Sequence, residues 1–596
     1  MTDEFDHPSF LDNLIPLRGK LDQVQTAGWT PGAPVHSSLG CTVHAEQMIP
    51  VTDGISLAAD ICTPKVAGRY PAVVVFSAYS HQLQASGLPT GTNETGEPTV
   101  FTDRGYNHVM VSRRGMGRSQ GDSVIFFNDT DVDDHVAVIE WCARQPWCDG
   151  NVVLFGTSYY AVVQPLVAVR QPPALRGFFG NGLDTDYFRH IAMFGGAPQV
   201  DFLTLWMGAN FTLAQEKLHV PPIVRAAISH VVNSPLKHLW APAIQKRMTE
   251  IQESFKRKTP DLKYRKLFAD WVFDGKTRAA HSIPPGPHQE LEKIQVPFVV
   301  VEDMSAFNLH QFGAYDLVEN AGTPANRRWL IMAPPEYALP VYRWQTEALA
   351  FFDHIVHGAD NGYAQQSPVR YHADGMKEEE YRGVAAFPAP EGSRVRYYLT
   401  SNGDDRQRHG FSADPGQGKN SWAAVPFGAI VPPGLDEAAN PILTFEAQGE
   451  EDVEYAGAIT VSLQFSCSDI DSHVIARLSR IDVAGNLHSL SLGSIRPALR
   501  RIDRERSTSV EIAINMDKPE PLTPGEPITL LFSLTPRPVR LKKGEKLRLD
   551  VASRTDLLRS DPAHGHEQFE MVVPPYFSRN TIHYGEQSYL DLHRLA

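Results

Sequence analysis

A serine at the apex of a tight strand-to-helix turn can serve as a nucleophile, and one segment has the spacing for it: Val153-Leu-Phe-Gly156-Thr157-Ser158-Tyr159-Tyr160-Ala161. A buried apolar run precedes the turn, and an apolar helical pattern (Val162, Val163, Pro165, Leu166) follows it. A turn of the Gly-x-Ser-x-Gly class lifts the hydroxyl above the sheet, and its small residues let neighbouring backbones approach closely. The closing glycine is displaced here, with Tyr160 in the fifth position and Ala161 in the sixth. The backbone N–H of Tyr159 would face an oxyanion developing on a carbonyl attacked by Ser158. The implied chemistry is acyl transfer, which also needs a base for the hydroxyl and an acid to orient that base.

Other chemistries find little support. His354-x-x-His357 and His564-x-His566 lack neighbouring Cys or carboxylate ligands in a zinc-like arrangement, so no metal site is expected. Arg114-Gly-Met-Gly does not follow the strand-to-helix pattern of a phosphate-binding loop, so no cofactor is expected.

The elements around the turn predict an α/β layer. Tyr70–Phe76, His108–Ser112 and Asn151–Phe155 are continuous runs rich in β-branched residues, the signature of strands buried on both faces of a parallel sheet. Asp131–Arg144 reads as a helix with acids in its first turn. Asp53-Gly54 marks a hairpin between His44–Pro50 and Ile55–Cys62. From 198 to 290 the buried β runs give way to long amphipathic patterns such as Leu236–Trp271, which predicts a helical cap. The α/β rhythm resumes at Val296–Val301 and Arg328–Met332, and Thr346–His357 reads as a helix. Beyond 385 come many short alternating runs with turn signals at Gly485-Asn486 and Lys543-Gly544, which predict a β-sandwich or jelly roll. The expected organisation is an N-terminal arm over 1–40, an α/β-hydrolase-type domain over 41–197 and 291–385, the cap over 198–290, and the β-domain over 386–596.

Composition sets outer limits. The chain has 596 residues, 42% apolar and 21% charged, in the range of globular proteins of several domains. A net charge of −14 argues against nucleic acid as a partner. Lys256-Arg257-Lys258 with Lys263, Arg265 and Lys266 reads as a solvated helix face. Five scattered cysteines do not form a disulfide framework, and the acidic start Met1-Thr-Asp-Glu-Phe-Asp has no apolar leader segment. No run of 18 apolar residues suggests a membrane span. A soluble cytoplasmic protein acting on a small molecule is expected, with a homo-oligomer left open.

On several motifs the chain resembles the cocaine esterase / X-Pro dipeptidyl-peptidase group of α/β-hydrolases, the CocE/NonD (S15-like) type. These motifs are Phe76-Ser-Ala-Tyr79, Arg114-Gly-Met-Gly-Arg-Ser119-Gln-Gly121, Trp147-Cys-Asp-Gly-Asn-Val152, Asn308-Leu-His-Gln-Phe-Gly313, Phe352–Gly362 and Asn580–Gly585. They span nearly the whole chain. The resemblance implies an α/β-hydrolase domain, a helical cap and a C-terminal jelly roll. It also implies that Tyr79 supplies an oxyanion-hole donor from its side chain.

The same resemblance exposes two departures. The family's acid follows the strand beginning Val296-Pro297, and that position reads Ala306; the base follows the next strand, and that position reads Tyr337. The expected triad is therefore degenerate. Substitutes would have to come from His81, Asp303, Glu336 or His310, each of which also reads as a packed or solvated side chain, His310 because the family carries a His there. Three functions stay open: a serine hydrolase of esters or amides; a repurposed enzyme whose tyrosine-rich pocket (Tyr79, Tyr159, Tyr160, Tyr337) promotes cyclisation, isomerisation or C–C bond chemistry; and an inactive binding protein.

Overall fold

Tyr70–Ser77 is the innermost expression of the β-branched pattern: every residue after Tyr70 is buried, and Val73, Val74 and Val75 each add roughly 1.5–3 kcal/mol of apolar burial. The structure, a computed structural model, describes residues 41–595 except 82–95, 97, 123–125, 304–308, 335–339, 378–379, 405–407, 426–439 and 559–576. Of residues 200–285 it describes Phe202, Leu203, Trp206, Asn210 and Leu239. The expected arm, most of the expected cap, and Ala306, Glu336, Tyr337 and the Asp303 side chain lie outside the described residues.

The first sheet is built from β1 (Cys41–Pro50), β2 (Ser56–Pro64), β3 (Tyr70–Ser77), β4 (Asn107–Ser112), β5 (Cys148–Thr157) and β6 (Leu175–Asn181). A short hairpin, β7 (Met193–Phe194) and β8 (Ala197–Pro198), stands apart from it. The sheet then continues with β9 (Phe298–Asp303), β10 (Arg328–Ala333), β11 (Val369–Tyr371) and β12 (Arg382–Val384). Its order is β1-β2-β4-β3-β5-β6-β9-β10-β11-β12. Pairing is parallel from β4 through β11 and antiparallel at both ends. Helices α1 (Pro98–Thr102), α2 (Asp129–Ala143), α3 (Tyr159–Ala168), α4 (Gly313–Asn320) and α5 (Pro340–His357) pack against it. The N-cap of α2 is Asn128, whose side chain accepts the Asp131 N–H at 2.9 Å. This is the α/β-hydrolase fold. Its parallel strands send their C-terminal ends to one edge, where such folds gather their binding loops.

The second domain is a mixed sheet of 13 strands running from Gly392 to Leu595 in the described residues, with Trp422, Leu463, Phe465, Leu549 and Ile582 in its core. The β7–β8 hairpin docks against it. Gly195 and Gly196 have φ of 60° and 84°, the left-handed geometry of a tight two-residue turn. A Cβ on Gly195 would lie 2.2 Å from the Ser494 carbonyl oxygen, so only glycine fits. The Arg496 N–H donates to the Gly195 carbonyl at 2.8 Å.

Candidate active site

Four loops at the sheet's C-terminal edge carry the site: Tyr79 after β3, Ser158 after β5, Asp184 after β6 and His310 after β9. Ser158 has φ 55° and ψ −122°, a conformation that L-residues adopt only under constraint. The constraint comes from β5 and α3 together. The Ser158 N–H donates to the Asn181 carbonyl at 2.9 Å, and its own carbonyl accepts the N–H groups of Ala161 and Val162 at 2.8 Å each. From Val152 to Val169 every residue but Ser158 is buried, so the turn raises a single side chain out of the core. The displaced closing glycine is compensated across the sheet. A Cβ on Gly180 of β6 would come within 3.1 Å of the Ala161 methyl and 2.8 Å of Gln164 Oε1, so α3 keeps its close approach because β6 is bare there.

Ser158 Oγ lies 3.1 Å from His310 Nε2, and His310 Nδ1 lies 2.6 Å from Asp184 Oδ2. A carboxylate only accepts, so Nδ1 carries the proton and Nε2 presents its lone pair to the serine hydroxyl. His310 itself has φ 59°, a second strained residue at the site. Two glycines adjoin its loop. Gly182 passes beneath the imidazole at φ 61°, a backbone conformation that favours glycine, and a Cβ there would make ordinary contact 3.7 Å from the ring. Gly313 opens α4 against the acid's own backbone, where a Cβ would stand 2.3 Å from Asp184 Cα. The residues after Asp184 are anchored on both sides. Thr185 Oγ1 donates to Asp316 Oδ2, which also meets His288 Nδ1 at 2.7 Å. Asp186 Oδ2 accepts from Arg506 Nη1 at 2.7 Å.

This geometry offers a base and an acid at positions other than Ala306 and Tyr337, which lie outside the described residues. The resemblance sets the acid after β9 and the base after β10; here the imidazole comes from after β9 and the carboxylate from after β6. Each has moved one strand toward β5, so Ala306 and Tyr337 need supply neither group. Of the substitutes, His310 reaches Ser158. His81 is engaged elsewhere, with Nδ1 2.6 Å from Ser112 Oγ and Nε2 3.5 Å from Asp60 Oδ1. Sequence reasoning missed Asp184; its one local signal is a carboxylate three residues beyond a buried parallel strand, in the chain order Ser…Asp…His that such hydrolases use.

The tyrosines separate by role. Tyr159 turns its hydroxyl into the interior, donating to Asp131 Oδ2 at 3.2 Å beside Arg113, whose Nη2 is 3.0 Å from the same oxygen. Burial, with Asp131 adding, holds the phenol's pKa well above its usual value. Tyr160 donates to Ser77 Oγ, which also accepts the Tyr79 N–H at 3.0 Å. One hydroxyl thus pins the Tyr79 loop to α3. So Tyr159 and Tyr160 do not offer their hydroxyls as a pocket lining; Tyr159 keeps its backbone N–H at the first position of α3, where no intrahelical partner exists. Tyr79 Oη accepts from Trp206 Nε1 at 3.2 Å. Trp206 packs at a tilt on Phe126, with ring centroids 4.2 Å apart, and Phe127 packs between Tyr159 and Tyr187 at 5.1 and 4.4 Å.

Residues 53–336 match the X-Pro dipeptidyl-peptidase (S15 family) profile, and residues 361–591 match the X-Pro dipeptidyl-peptidase C-terminal non-catalytic domain. The chain belongs to the CocE/NonD (S15) family of hydrolases. A candidate serine esterase of Mycobacterium bovis is 23% identical over 584 residues, covering 85% of this chain and 89% of that protein. The cocaine esterase of Rhodococcus is 25% identical over 394 residues, covering 61% of this chain and 63% of that enzyme. A CocE/NonD family hydrolase from Staphylococcus aureus superposes with a TM-score of 0.70 at 20% identity, covering 93% of this chain and 94% of that one, which shows the shared fold.

Proposed function

We propose that this CocE/NonD protein is a serine hydrolase that cleaves carboxylic esters, or related amides, through an acyl-Ser158 intermediate. The observation that carries the reading is the hydrogen-bonded line Ser158–His310–Asp184, at 3.1 and 2.6 Å. His310 takes the serine proton as Ser158 Oγ attacks the carbonyl, and Asp184 stabilises the imidazolium that forms. His310 then returns the proton to the leaving alcohol or amine, and water repeats the cycle on the acyl-enzyme. The Tyr159 N–H and the Tyr79 hydroxyl receive the oxyanion. The Trp206 N–H donates to the Tyr79 oxygen and so helps to orient that phenol. Esters come first because the curated relatives are named as esterases. The aromatic cluster of Phe126, Phe127 and Trp206 beside Tyr79 favours an apolar or aromatic group in the substrate. The non-hydrolytic reading rested on the want of a base and an acid, and it loses that support.

The test is incubation with a fluorophosphonate and with a panel of aryl and alkyl esters, followed by peptide mass analysis. A stoichiometric adduct on Ser158 and ester turnover that Ser158→Ala abolishes are expected. A folded protein that neither labels nor turns over would overturn the reading.

A further inference from the structure

Behind Asp184, on the side away from His310, lies a second imidazole. Residues 184–199 form a strap that leaves the acid, makes one π-type turn over Phe188–Ala192 and ends in the β7–β8 hairpin docked on the second domain. His190 sits in that turn. Its Nδ1 is 3.6 Å from Asp184 Oδ1, and its Nε2 is 3.1 Å from Glu511 Oε2 of the β-domain. All three groups are buried. The two oxygens of Asp184 are therefore divided: Oδ2 serves His310 and Oδ1 faces His190.

The charges around His190 come from both domains. Burial works against its protonated form, but Glu511 first, by charge and hydrogen bond, and then Asp184 and Asp186 outweigh it and raise the pKa to about 9. The other charged groups of the cluster are Arg189, 3.9 Å from both Asp186 and Asp503, and Arg506, which pairs with Asp186 and Asp503. With His190 as an imidazolium, every carboxylate here has a cationic neighbour. Such a chain fixes a carboxylate's rotation and tempers its charge, as outer partners do for histidines at other sites.

We propose that His190 and Glu511 are positioning residues, forming a buried carboxylate–imidazolium–carboxylate chain through which the C-terminal β-domain sets the orientation and charge of Asp184. This rests on the serine-hydrolase reading. It gives the β-domain a share in the reaction although, among the described residues, none of its side chains hydrogen-bonds Ser158. The electrostatic sign is definite. A cation beside Asp184 disfavours a further positive charge in the relay, and removing it relaxes that repulsion. The base must be neutral to act, so the acid limb of the activity profile moves upward.

The experiment compares native protein with His190→Gln, reading the pH profile of ester kcat/KM and of fluorophosphonate labelling, with folding checked by circular dichroism. In His190→Gln, kcat falls about tenfold with KM unchanged, and the acid limb rises by about one pH unit. Glu511→Gln, which deprives His190 of the partner holding its proton, shifts the limb the same way by less, and Glu511→Asp recovers part of kcat. If His190→Gln does not fold, the Glu511 pair gives the same readout. A limb that coincides with the native one in the folded variants, while native Ser158 labels normally, overturns the positioning role and leaves the hydrolase reading standing. A native protein that does not label overturns both.

Discussion

Replacing Asp184 by Asn tests the relay through proton placement alone, because the side chain keeps its size in a fully buried position. A carboxylate can accept at both ends, but a carboxamide must choose. His190 Nδ1 faces Asp184 Oδ1 at 3.6 Å, and Glu511, the strongest of the carboxylates that raise the His190 pKa, stays in place in the variant and favours the imidazolium. The carboxamide of Asp184→Asn therefore turns its carbonyl oxygen toward His190 and its NH2 toward His310. An NH2 donor 2.6 Å from where Nδ1 now donates makes Nδ1 the acceptor and moves the imidazole proton to Nε2. Nε2 then faces Ser158 Oγ with a proton in place of a lone pair and cannot serve as a base. Loss of the orienting carboxylate in such relays costs about 10³–10⁴ in rate, or about 4–5.5 kcal/mol of transition-state stabilisation. The assay is kcat/KM for an activated aryl ester alongside Tm. A loss below about tenfold in a folded Asp184→Asn protein would refute the reasoning, since it would mean that His310 does not depend on Asp184 for its tautomer.

The remaining predictions concern the oxyanion donor, the packing of the acid and the buried histidines. Tyr79→Phe lowers kcat by about 10²–10³ with little change in KM or Tm; an unchanged kcat removes this phenol from the oxyanion hole. Gly313→Ala forces a methyl to 2.3 Å from Asp184 Cα, costs about 1–3 kcal/mol of stability as overpacking does, and lowers kcat by more than the stability loss explains; wild-type turnover and Tm would show that the acid's loop can move aside freely. Burial holds His135 at about 4 and His473 at about 3, below the unfolded value of 6.5. The unfolded chain binds their protons first as pH falls, so their contribution is complete above about 6.5 and is lost toward 4. His190 has the opposite sign: its contribution is complete below about 6.5 and is lost as pH rises through about 9. Tm is expected to decline on both sides of this window, and a Tm constant from pH 7 down to 4.5 would contradict the acid branch.

How legible each part was in the sequence follows from the range of the interactions that define it. The strands Tyr70–Ser77, Asn107–Ser112 and Cys148–Thr157 announce themselves through local apolar runs, and the Ser158 elbow through a motif contained in a few residues. Asp53-Gly54 likewise marked the turn between β1 and β2, where Asp53 has φ 58°. The relay is different in kind. His310 is 152 residues from Ser158 and 126 from Asp184, and the parallel register of β5, β6 and β9 brings them together. The family motifs set the acid at Ala306 and the base at Tyr337, each one strand farther from β5 than Asp184 and His310. Geometry across the sheet edge, and a glycine such as Gly313 that makes room for it, carry information that neither spacing nor periodicity encodes. The Trp206 contact to Tyr79 was hidden for the same reason, being made between residues 127 apart in sequence.

The central claim is that Ser158 is activated by His310. The most direct measurement is the second-order rate of fluorophosphonate labelling, with the adduct located by peptide mapping, in native protein and in His310→Gln at matched folding. The account predicts a Ser158 adduct in the native protein and a rate lower by about 10³ or more in His310→Gln. Equal labelling of the two proteins would contradict it and place the base elsewhere.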